Sequence, residues 1–474
     1  MLTLPSEFRF PGIGPRTTFI VGGSVRDLLL GRPALDTDIA VTGDPQVFAR
    51  QLARRLSGSR VEIGKSALTI HRVVVGSRIF DVSAIHGDGI EEDLHRRDFT
   101  VNALAVDAAT GEIIDCTGGR RDLQAGIIRM VSPAVFAADP VRLIRAYRMA
   151  AGLQFEIDPA TRQAITGNAR LVRRSAGERT WSELHKILSV PASLKTLEQM
   201  QADGLLPAIF PELAPLPHCF QGGHHRWDVF THSLQAYRHL ESMLSDTAAW
   251  LPEGFASPLW GPDDIPAPIL KLAILLHDVG KPQSRQEDES GNVHFYGHGK
   301  KSADIVAGTT SRLKMSKRDS GYIDFIIRSH IRPLHLFIAH GNGRLTGRGK
   351  TRFFTRCGPQ TPDLLLHCMA DILGKGTGDD RNRRFVDFAR QLLQAYLAEY
   401  LPRRSRRPLL NGRDLMEAFG LPPSPLLGRL LRQVEEARLA GDIRTRAQAL
   451  KLAENLVEMA RQKTGQDPQI SGSE

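Results

Sequence analysis

The chain has 474 residues, too many for one ordinary hydrophobic core, so two to four domains are expected. A formal charge of +10 points to an anionic partner, nucleic acid foremost, without saying which one. No apolar run approaches the ~20 residues of a membrane span, the start MLTLPSEFRFPG lacks the apolar core of a signal peptide, and Cys116, Cys219, Cys357 and Cys368 are scattered without CxxC spacing. These features speak against a membrane protein, a disulfide framework and a zinc finger, and for a cytoplasmic protein with reduced thiols.

Residues 1–128 have α/β character. The runs Phe19–Val21, Ile39–Val41, Ile70–Val75 and Ile79–Val82 are short and β-branched, as in strands, and Asp44 to Leu56 has helical spacing. Residues 22–38, GGSVRDLLLGRPALDTD, form the densest stretch. Gly22 and Gly23 after an apolar run let backbone N–H groups approach a phosphate. On an extended segment Asp36 and Asp38 point to the same side. Two such carboxylates repel unless cations sit between them; their hard oxygens suit Mg²⁺, as in two-metal phosphoryl transfer. Taken alone, either motif is equally well an Asx-rich turn after a βα unit. Asp81 ends another strand-like run and is either a third carboxylate for the pair or a turn cap.

In EEDLHRRDFTVNALAVD (residues 91–107), Arg96, Arg97 and Asp98 precede an apolar stretch containing Asn102. An arginine fork there suits phosphate oxygens beside a metal–triphosphate site, or is a solvated face. From residue 139 the pattern is helical. Asp139 and Pro140 form an N-cap and first-turn pair, and Arg142, Arg145 and Arg148 follow at three-residue intervals along one side. That polar face suits a triphosphate or a base edge. A second helix carries Glu178, Arg179, Trp181 and Glu183.

Taken together and in this order, the stretches GGSVRD…DTD, RRDFTVNALA, DCTGGRRDL, DPVRLIRAYR and ERTWSE resemble the bacterial tRNA nucleotidyltransferase family, the class that includes CCA-adding enzymes and poly(A) polymerases. The resemblance implies a polymerase-beta-like mixed sheet in which Asp36 and Asp38 hold two Mg²⁺. It places Gly22, Gly23 and Arg26 at the nucleotide's phosphate or sugar and Arg97, Asp98, Asn102, Arg145 and Arg179 at the nucleotide site. Asp139 and Arg142 match the pair that recognises the incoming base. There are two departures. The fourth motif begins Ala138–Asp139 where the family has Glu-Asp. Only residues 82–96 separate Asp81 from Arg97, too few for the flexible loop of members that complete the CCA end. Within the family a short loop accompanies addition of two cytidines without the final adenosine, which implies a separate A-adding enzyme.

Pro207, Pro211, Pro215, Pro217 and Gly222–Gly223 mark a boundary. Beyond it, His232, the adjacent His277–Asp278 at the end of an apolar helix, His298, His330 and Asp371 form a ligand set. Imidazole with carboxylate suits a divalent transition metal (Mn, Ni, Co, Fe or Zn), whose bound water then serves as nucleophile in phosphoester hydrolysis. This block resembles an HD-superfamily phosphohydrolase domain. The resemblance makes His232, His277, Asp278 and Asp371 core ligands, adds His298 and His330 for two-metal members, and implies phosphomonoester or 2′,3′-cyclic phosphate substrates. PRRSRRP (402–408) is expected to be a basic linker, followed by helices broken at Pro422–Pro425 that resemble a tRNA-positioning tail.

The expected architecture is therefore α+β: a mixed-sheet nucleotidyltransferase head (1–128), an all-α neck (129–223), an HD region (224–395) and a helical tail (396–474). The expected activity is template-independent extension of tRNA 3′ ends from CTP, with ATP open as a second nucleotide. A poly(A) polymerase, or an HD phosphohydrolase with an RNA-binding head, are the alternatives.

Overall fold

The computed structural model describes residues 16–33, 36–63, 69–222, 226–246, 250–251 and 257–464. Two compact units emerge, Met1–Pro211 with Arg312–Met315 and Glu212–Ser311 with Ser316–Glu474.

The first unit is built on a mixed seven-stranded sheet of order β3-β4-β5-β2-β1-β6-β7. Its strands are β1 (Thr18–Val21), β2 (Asp36–Val41), β3 (Ser59–Ile63), β4 (Ile70–Val75), β5 (Arg78–Ala84), β6 (Ala105–Asp107) and β7 (Ile113–Ile114). β1 lies antiparallel to both β2 and β6, whereas β2 and β5 run parallel. The four expected strands are present, but β2 starts three residues before Ile39, so the aspartates belong to the strand itself. The reason is hydrogen bonding: the backbone of Asp38 pairs with Val21 on one side and Asp81 on the other.

The period-2 alternation of these strands feeds two layers. Helix α2 (Pro45–Leu56) covers one face, where Ala49, Leu52 and Ala53 pack on Ile39, Val41, Val73, Phe80 and Val82. Each fully buried aliphatic side chain there contributes about 1.5–3 kcal/mol. Asp44 caps α2 by accepting the N–H of Gln46 at 2.8 Å, and Pro45 takes the first turn, where no N–H is needed. On the other face Ile90 and Leu94 of helix α3 (Ile90–His95) pack on Phe19, Val21 and Ala40. The short helix α1 (Gly23–Leu29) leaves the end of β1 directly, with Val25 packed beside Ile20.

The basic helix is Arg142–Leu153, so it begins later than expected and Asp139 is not its side-chain cap. Asp139 is extended at the end of the preceding turn, and its carboxylate goes to Arg179 instead. The helix does amphipathic work: Leu143, Ile144, Ala146, Tyr147 and Met149 are buried, while Arg142 and Arg145 face a polar cleft. The region between head and boundary is not purely helical, because Ile127–Ile128 and Glu156–Ile157 pair as a two-stranded parallel ribbon.

Among its described residues the second unit is mainly helical, with a small hairpin, Gln286–Glu287 paired with Val293–His294. Helix Ala267–Leu276 is buried from Ile269 to Leu276 and delivers His277 and Asp278 at its end. Helices Val229–Ser245 and Thr361–Gly374 cross closely at Gly374, where an added Cβ would lie 2.7 Å from the backbone nitrogen of Ala236. PRRSRRP is partly helical (Leu401–Arg404), and Arg403 donates to the carbonyl of Leu439 at 3.0 Å, so it is not a free linker. The tail helices Gly412–Phe419, Pro425–Ala440 and Arg446–Thr464 share their own core of Leu415, Leu430, Val434, Ala449 and Ala453. Among the described residues no helix is long and apolar enough to cross a membrane.

Asp363 in the first turn of Thr361–Gly374 is buried, and its carboxylate accepts the Tyr322 hydroxyl at 2.6 Å. Burial pushes its pKa up to about 7 despite that hydrogen bond. The folded state therefore holds a proton that the unfolded chain releases near the ordinary carboxylate value, and stability falls as pH rises toward 7. The expected slope is about 1.4 kcal/mol per pH unit for this one group. Urea melts from pH 5 to 8 should show wild type losing stability relative to Asp363→Asn up to about pH 7 and a constant difference above it; parallel curves throughout would remove Asp363 as the cause.

Candidate active site and candidate metal centre

In the first unit the site begins where β1 stops. Gly22 has φ +70° and ψ −134°, a backbone open only to glycine, and its N–H donates to the Leu104 carbonyl at 3.0 Å. A Cβ here would lie 2.8 Å from Nη1 of Arg97 and 3.5 Å from a carboxylate oxygen of Asp38, so the backbone is pressed against both. The Ser24 hydroxyl donates to the carbonyl of Asp36 (3.2 Å) and accepts the N–H of Asp38 (2.9 Å), pinning α1 to the start of β2. Thr37 is buried between two exposed aspartates, as strand alternation requires.

Asp81 stands opposite Asp38 in the parallel β2–β5 register. Its carboxylate is gripped by Arg72 through two 2.8 Å bonds, so of the three head carboxylates this one already has a cation. Partial burial raises the Asp38 pKa; Arg97 pulls it down, and Asp81 and Asp36 push it up again. Hard oxygens gathered on one face, with mutual repulsion felt at Asp38, fit a divalent cation shared by Asp36 and Asp38.

A cleft of about 260 Å³ joins Asp38 to Gly22, Gly23, Arg97, Asp98, Asn102, Arg142 and Arg145. Arg97 is aimed by Asp93, one helical turn earlier, at 3.1 and 2.9 Å. Asp98 is buried beneath the cleft. Burial works to raise its pKa, but the charge and hydrogen bond of Arg145 (3.1 Å) and the bonds from Phe99 and Asn102 outweigh it and hold the carboxyl below its usual range. Glu183 holds Arg145 at 3.0 Å and also binds Arg148. Arg26 donates to Asn102 at 2.7 Å and to Asp27 twice at 2.8 Å. It lines a neighbouring cleft with Asp27 and Arg148 rather than the one at Asp38. The three arginines of Arg142–Leu153 are thus divided between two clefts. Asp139 lies 3.9 Å from Nε of Arg142, and Arg179 occupies both its oxygens at 3.0 and 2.7 Å.

In the second unit all six residues His232, His277, Asp278, His298, His330 and Asp371 converge. Two ligand groups, His232–His277–Asp278 and Asp278–His298–His330, each have their donor atoms within 4.8 Å of one another. His232 Nε2 is 2.9 Å from Asp371 Oδ1, and His277 Nε2 is 3.1 Å from Asp278 Oδ2. His277, His298 and His330 each direct Nδ1 to a carbonyl three residues back, at 2.8, 2.8 and 2.6 Å. That bond fixes the tautomer and leaves Nε2 as a lone pair pointing inward, as in metal-ligating histidines. The Nε2 atoms of His298 and His330 then face each other at 3.1 Å, two lone pairs that a shared cation would reconcile. Asp278 Oδ1 is buried without a hydrogen bond, while Asp278 Oδ2 has Lys281 Nζ at 2.6 Å and His277 Nε2 at 3.1 Å. Burial favours neutral His277, yet the Asp278 and Asp371 charges outweigh it and raise its pKa to about 10, whereas burial and neighbouring imidazoles push His330 down to about 3. The pocket demands positive charge, and its donors fit a transition metal.

Several residues of these sites were not singled out by sequence. Asp93 had a findable signal, its i,i+4 spacing to Arg97. Ser24, Arg72, Lys281 (2.6 Å from Asp278) and the buried His367, whose ring lies 5.3 Å from that of His277, depend on register or helix crossing and had none.

A nucleotide-transferring head followed by an HD region is the class that this fold and these sites define. The family model for the poly A polymerase head domain matches residues 18–129, that for the RNA-binding site of polymerase A residues 154–216, that for the HD domain residues 229–373, and that for tRNA nucleotidyltransferase domain 2 residues 382–453. The chain is 32% identical over 443 residues to the A-adding tRNA nucleotidyltransferase of Deinococcus radiodurans, covering 92% of this chain and 94% of that one. It is 34% identical over 451 residues to the CC-adding tRNA nucleotidyltransferase of Thermus thermophilus, covering 93% and 94%. Its fold is similar to that of the Thermotoga maritima CCA-adding enzyme complexed with tRNA (TM-score 0.62, 22% identity, 94% of this chain and 91% of that one). The chain belongs to the tRNA nucleotidyltransferase family, as an enzyme with a fused HD domain.

Metal occupancy of the HD centre can be read without activity. A ligand that binds only the folded state at a hundred times its Kd stabilises by about 2.7 kcal/mol. Adding Mn²⁺ or Ni²⁺ to the chelator-treated full chain should therefore raise its Tm by several degrees, and a His277→Ala/Asp278→Ala variant should not respond. An equal rise in both would move the metal elsewhere.

Proposed function

We propose that this enzyme adds CMP from CTP to tRNA 3′ ends and leaves the terminal adenosine to a separate A-adding enzyme. The observation carrying this reading is the bridge between β5, which ends at Ala84, and α3, which begins at Ile90. Five residues cannot form the flexible loop of members that complete the end. Similarity to relatives named for CC addition and for A addition does not choose between them. We place the protein in the cytoplasm and divide the chain functionally as head 1–128, neck 129–223, HD region 224–395 and tail 396–474, the tail positioning tRNA.

Asp36 and Asp38 hold Mg²⁺ on the open face of β2, with Asp81 beside Asp38 on β5 and fixed by Arg72. When bound, the ions activate the tRNA 3′-hydroxyl and offset charge on the departing pyrophosphate. The backbone at Gly22 and Gly23 admits the triphosphate. Arg97, aimed by Asp93, meets its oxygens, while Asn102 and Arg26 steady the sugar side. Arg145 is already committed to Asp98 and Glu183 and braces the cleft. Asp139 and Arg142 select the base, which requires Arg179 to release part of its grip on Asp139. At the HD centre, His232, His277, Asp278 and Asp371, with His298 and His330, hold a transition metal for phosphomonoester or 2′,3′-cyclic phosphate hydrolysis.

Incubating tRNA lacking its 3′ end with labelled nucleotides tests the assignment. CTP should be incorporated twice and ATP hardly at all, whereas efficient adenosine addition after the two cytidines would end the CC-only reading. Asp38→Asn should lower incorporation by about a hundred- to a thousandfold, the scale on which a group acting in the transition state contributes. The His277→Ala/Asp278→Ala variant should keep CTP incorporation and lose metal-dependent phosphatase activity; retained phosphatase activity would place hydrolysis outside this centre.

A further inference from the structure

Beside the HD metal centre lies a cavity of about 420 Å³ whose floor includes Asp278, His298, His330 and Asp371. Lys375 and Arg381 add positive charge to its lining, which suits a phosphoester. Metal and cations account for the phosphate but leave unexplained an aromatic shelf on the same cavity. Tyr296, two residues before the ligand His298, lines it and is 70% exposed, a large ring left in water. Its ring is stacked on His294 with centroids 5.2 Å apart and planes 12° from parallel. His294 is itself held by Asp288 at 2.9 Å. Asp288 also closes the hairpin turn, accepting the N–H groups of Ser290 (3.0 Å) and Asn292 (2.9 Å). One short hairpin therefore fixes the ring that backs Tyr296 and presents Tyr296 beside the metal site.

A single exposed tyrosine is ordinary on a protein surface. A tyrosine braced from behind by a second ring, itself anchored by a carboxylate, is a preorganised flat surface that loses little freedom when another π-system stacks on it. Phosphates and sugars have no such face; nucleobases all do. We propose that Tyr296, backed by His294 and Asp288, is the base-stacking residue of the HD site and makes it select nucleoside phosphoesters over phosphoesters lacking a base. This rests on the reading of the HD centre as a phosphohydrolase. Stacking is tolerant of base identity, so the shelf distinguishes base from no base and not one base from another.

The test uses the full chain loaded with Mn²⁺ or Ni²⁺ and two matched pairs of substrates: adenosine 2′-phosphate against glycerol 2-phosphate, and adenosine 2′,3′-cyclic phosphate against glycerol 1,2-cyclic phosphate. Within each pair the reacting group is the same and only the base-bearing nucleoside is removed. Wild type should prefer the adenosine compound in kcat/KM. In Tyr296→Ala that preference should fall by about ten- to a hundredfold, the worth of one stacked base, through KM for the nucleotide. Tyr296→Phe and Tyr296→Trp, which keep the π-face, should retain it. A preference equal in wild type and Tyr296→Ala overturns the assignment of Tyr296 while leaving hydrolysis intact. Failure to hydrolyse any of the four compounds overturns the underlying reading as well, so the two failures are distinct.

Discussion

Carboxylates held side by side repel, and burial makes that repulsion worse unless positive charge sits among them. Both centres of this protein are built against that cost. In the head, Asp36, Asp38 and Asp81 are carried on neighbouring strands whose register leaves no alternative placement, and Arg72 compensates only the last of them. In the HD region Asp278 and Asp371 sit among imidazoles, and the buried pocket holds lone pairs facing lone pairs. Each arrangement is stable because a large apolar framework enforces it: the α2-covered sheet in one case, the buried helix Ala267–Leu276 and the close crossing at Gly374 in the other.

The two centres use opposite means to stay poised. The head site is open and made of strand ends, so its geometry comes from hydrogen-bond register and from Ser24, which ties the helix start to the strand start. The HD site is closed and made of helix ends. Three of its imidazoles, His277, His298 and His330, are turned inward by bonds from Nδ1 to carbonyls three residues earlier in the chain, which sets the tautomer before any cation arrives. An open site suits a triphosphate and a long RNA; a closed one suits a small terminal group.

Four arginines of the first unit follow one rule. Arg97 is held by Asp93, Arg145 by Asp98 and Glu183, Arg179 by Asp139, and Arg26 by Asp27. A guanidinium already fixed by one carboxylate loses little rotamer freedom when a phosphate meets its remaining donors. The arrangement also sets a hierarchy. Arg145, half-buried and bonded to two carboxylates, is structural in weight, whereas the more exposed pair Arg179–Asp139 is the one that can exchange partners.

The sequence by itself determined which chemistry is present. Strand and helix periods are local properties, so β1, β2, β4, β5 and α2 could be read from residue order, as could the presence of the Asp36 and Asp38 pair and of the His and Asp set of the HD region. Their types suit phosphate and metal chemistry. Tertiary structure decided who meets whom. That Arg72 meets Asp81, that Asp139 is held by Arg179 instead of capping a helix, and that Arg148 leaves the cleft of Arg142 and Arg145 all follow from strand register and helix crossing. The same holds for the ring pair His294–Tyr296, which the chain order shows only as two aromatics separated by a third. Periodicity records which face a side chain takes, but the partner on that face comes from a distant segment, and its position is set by the packing of the whole core.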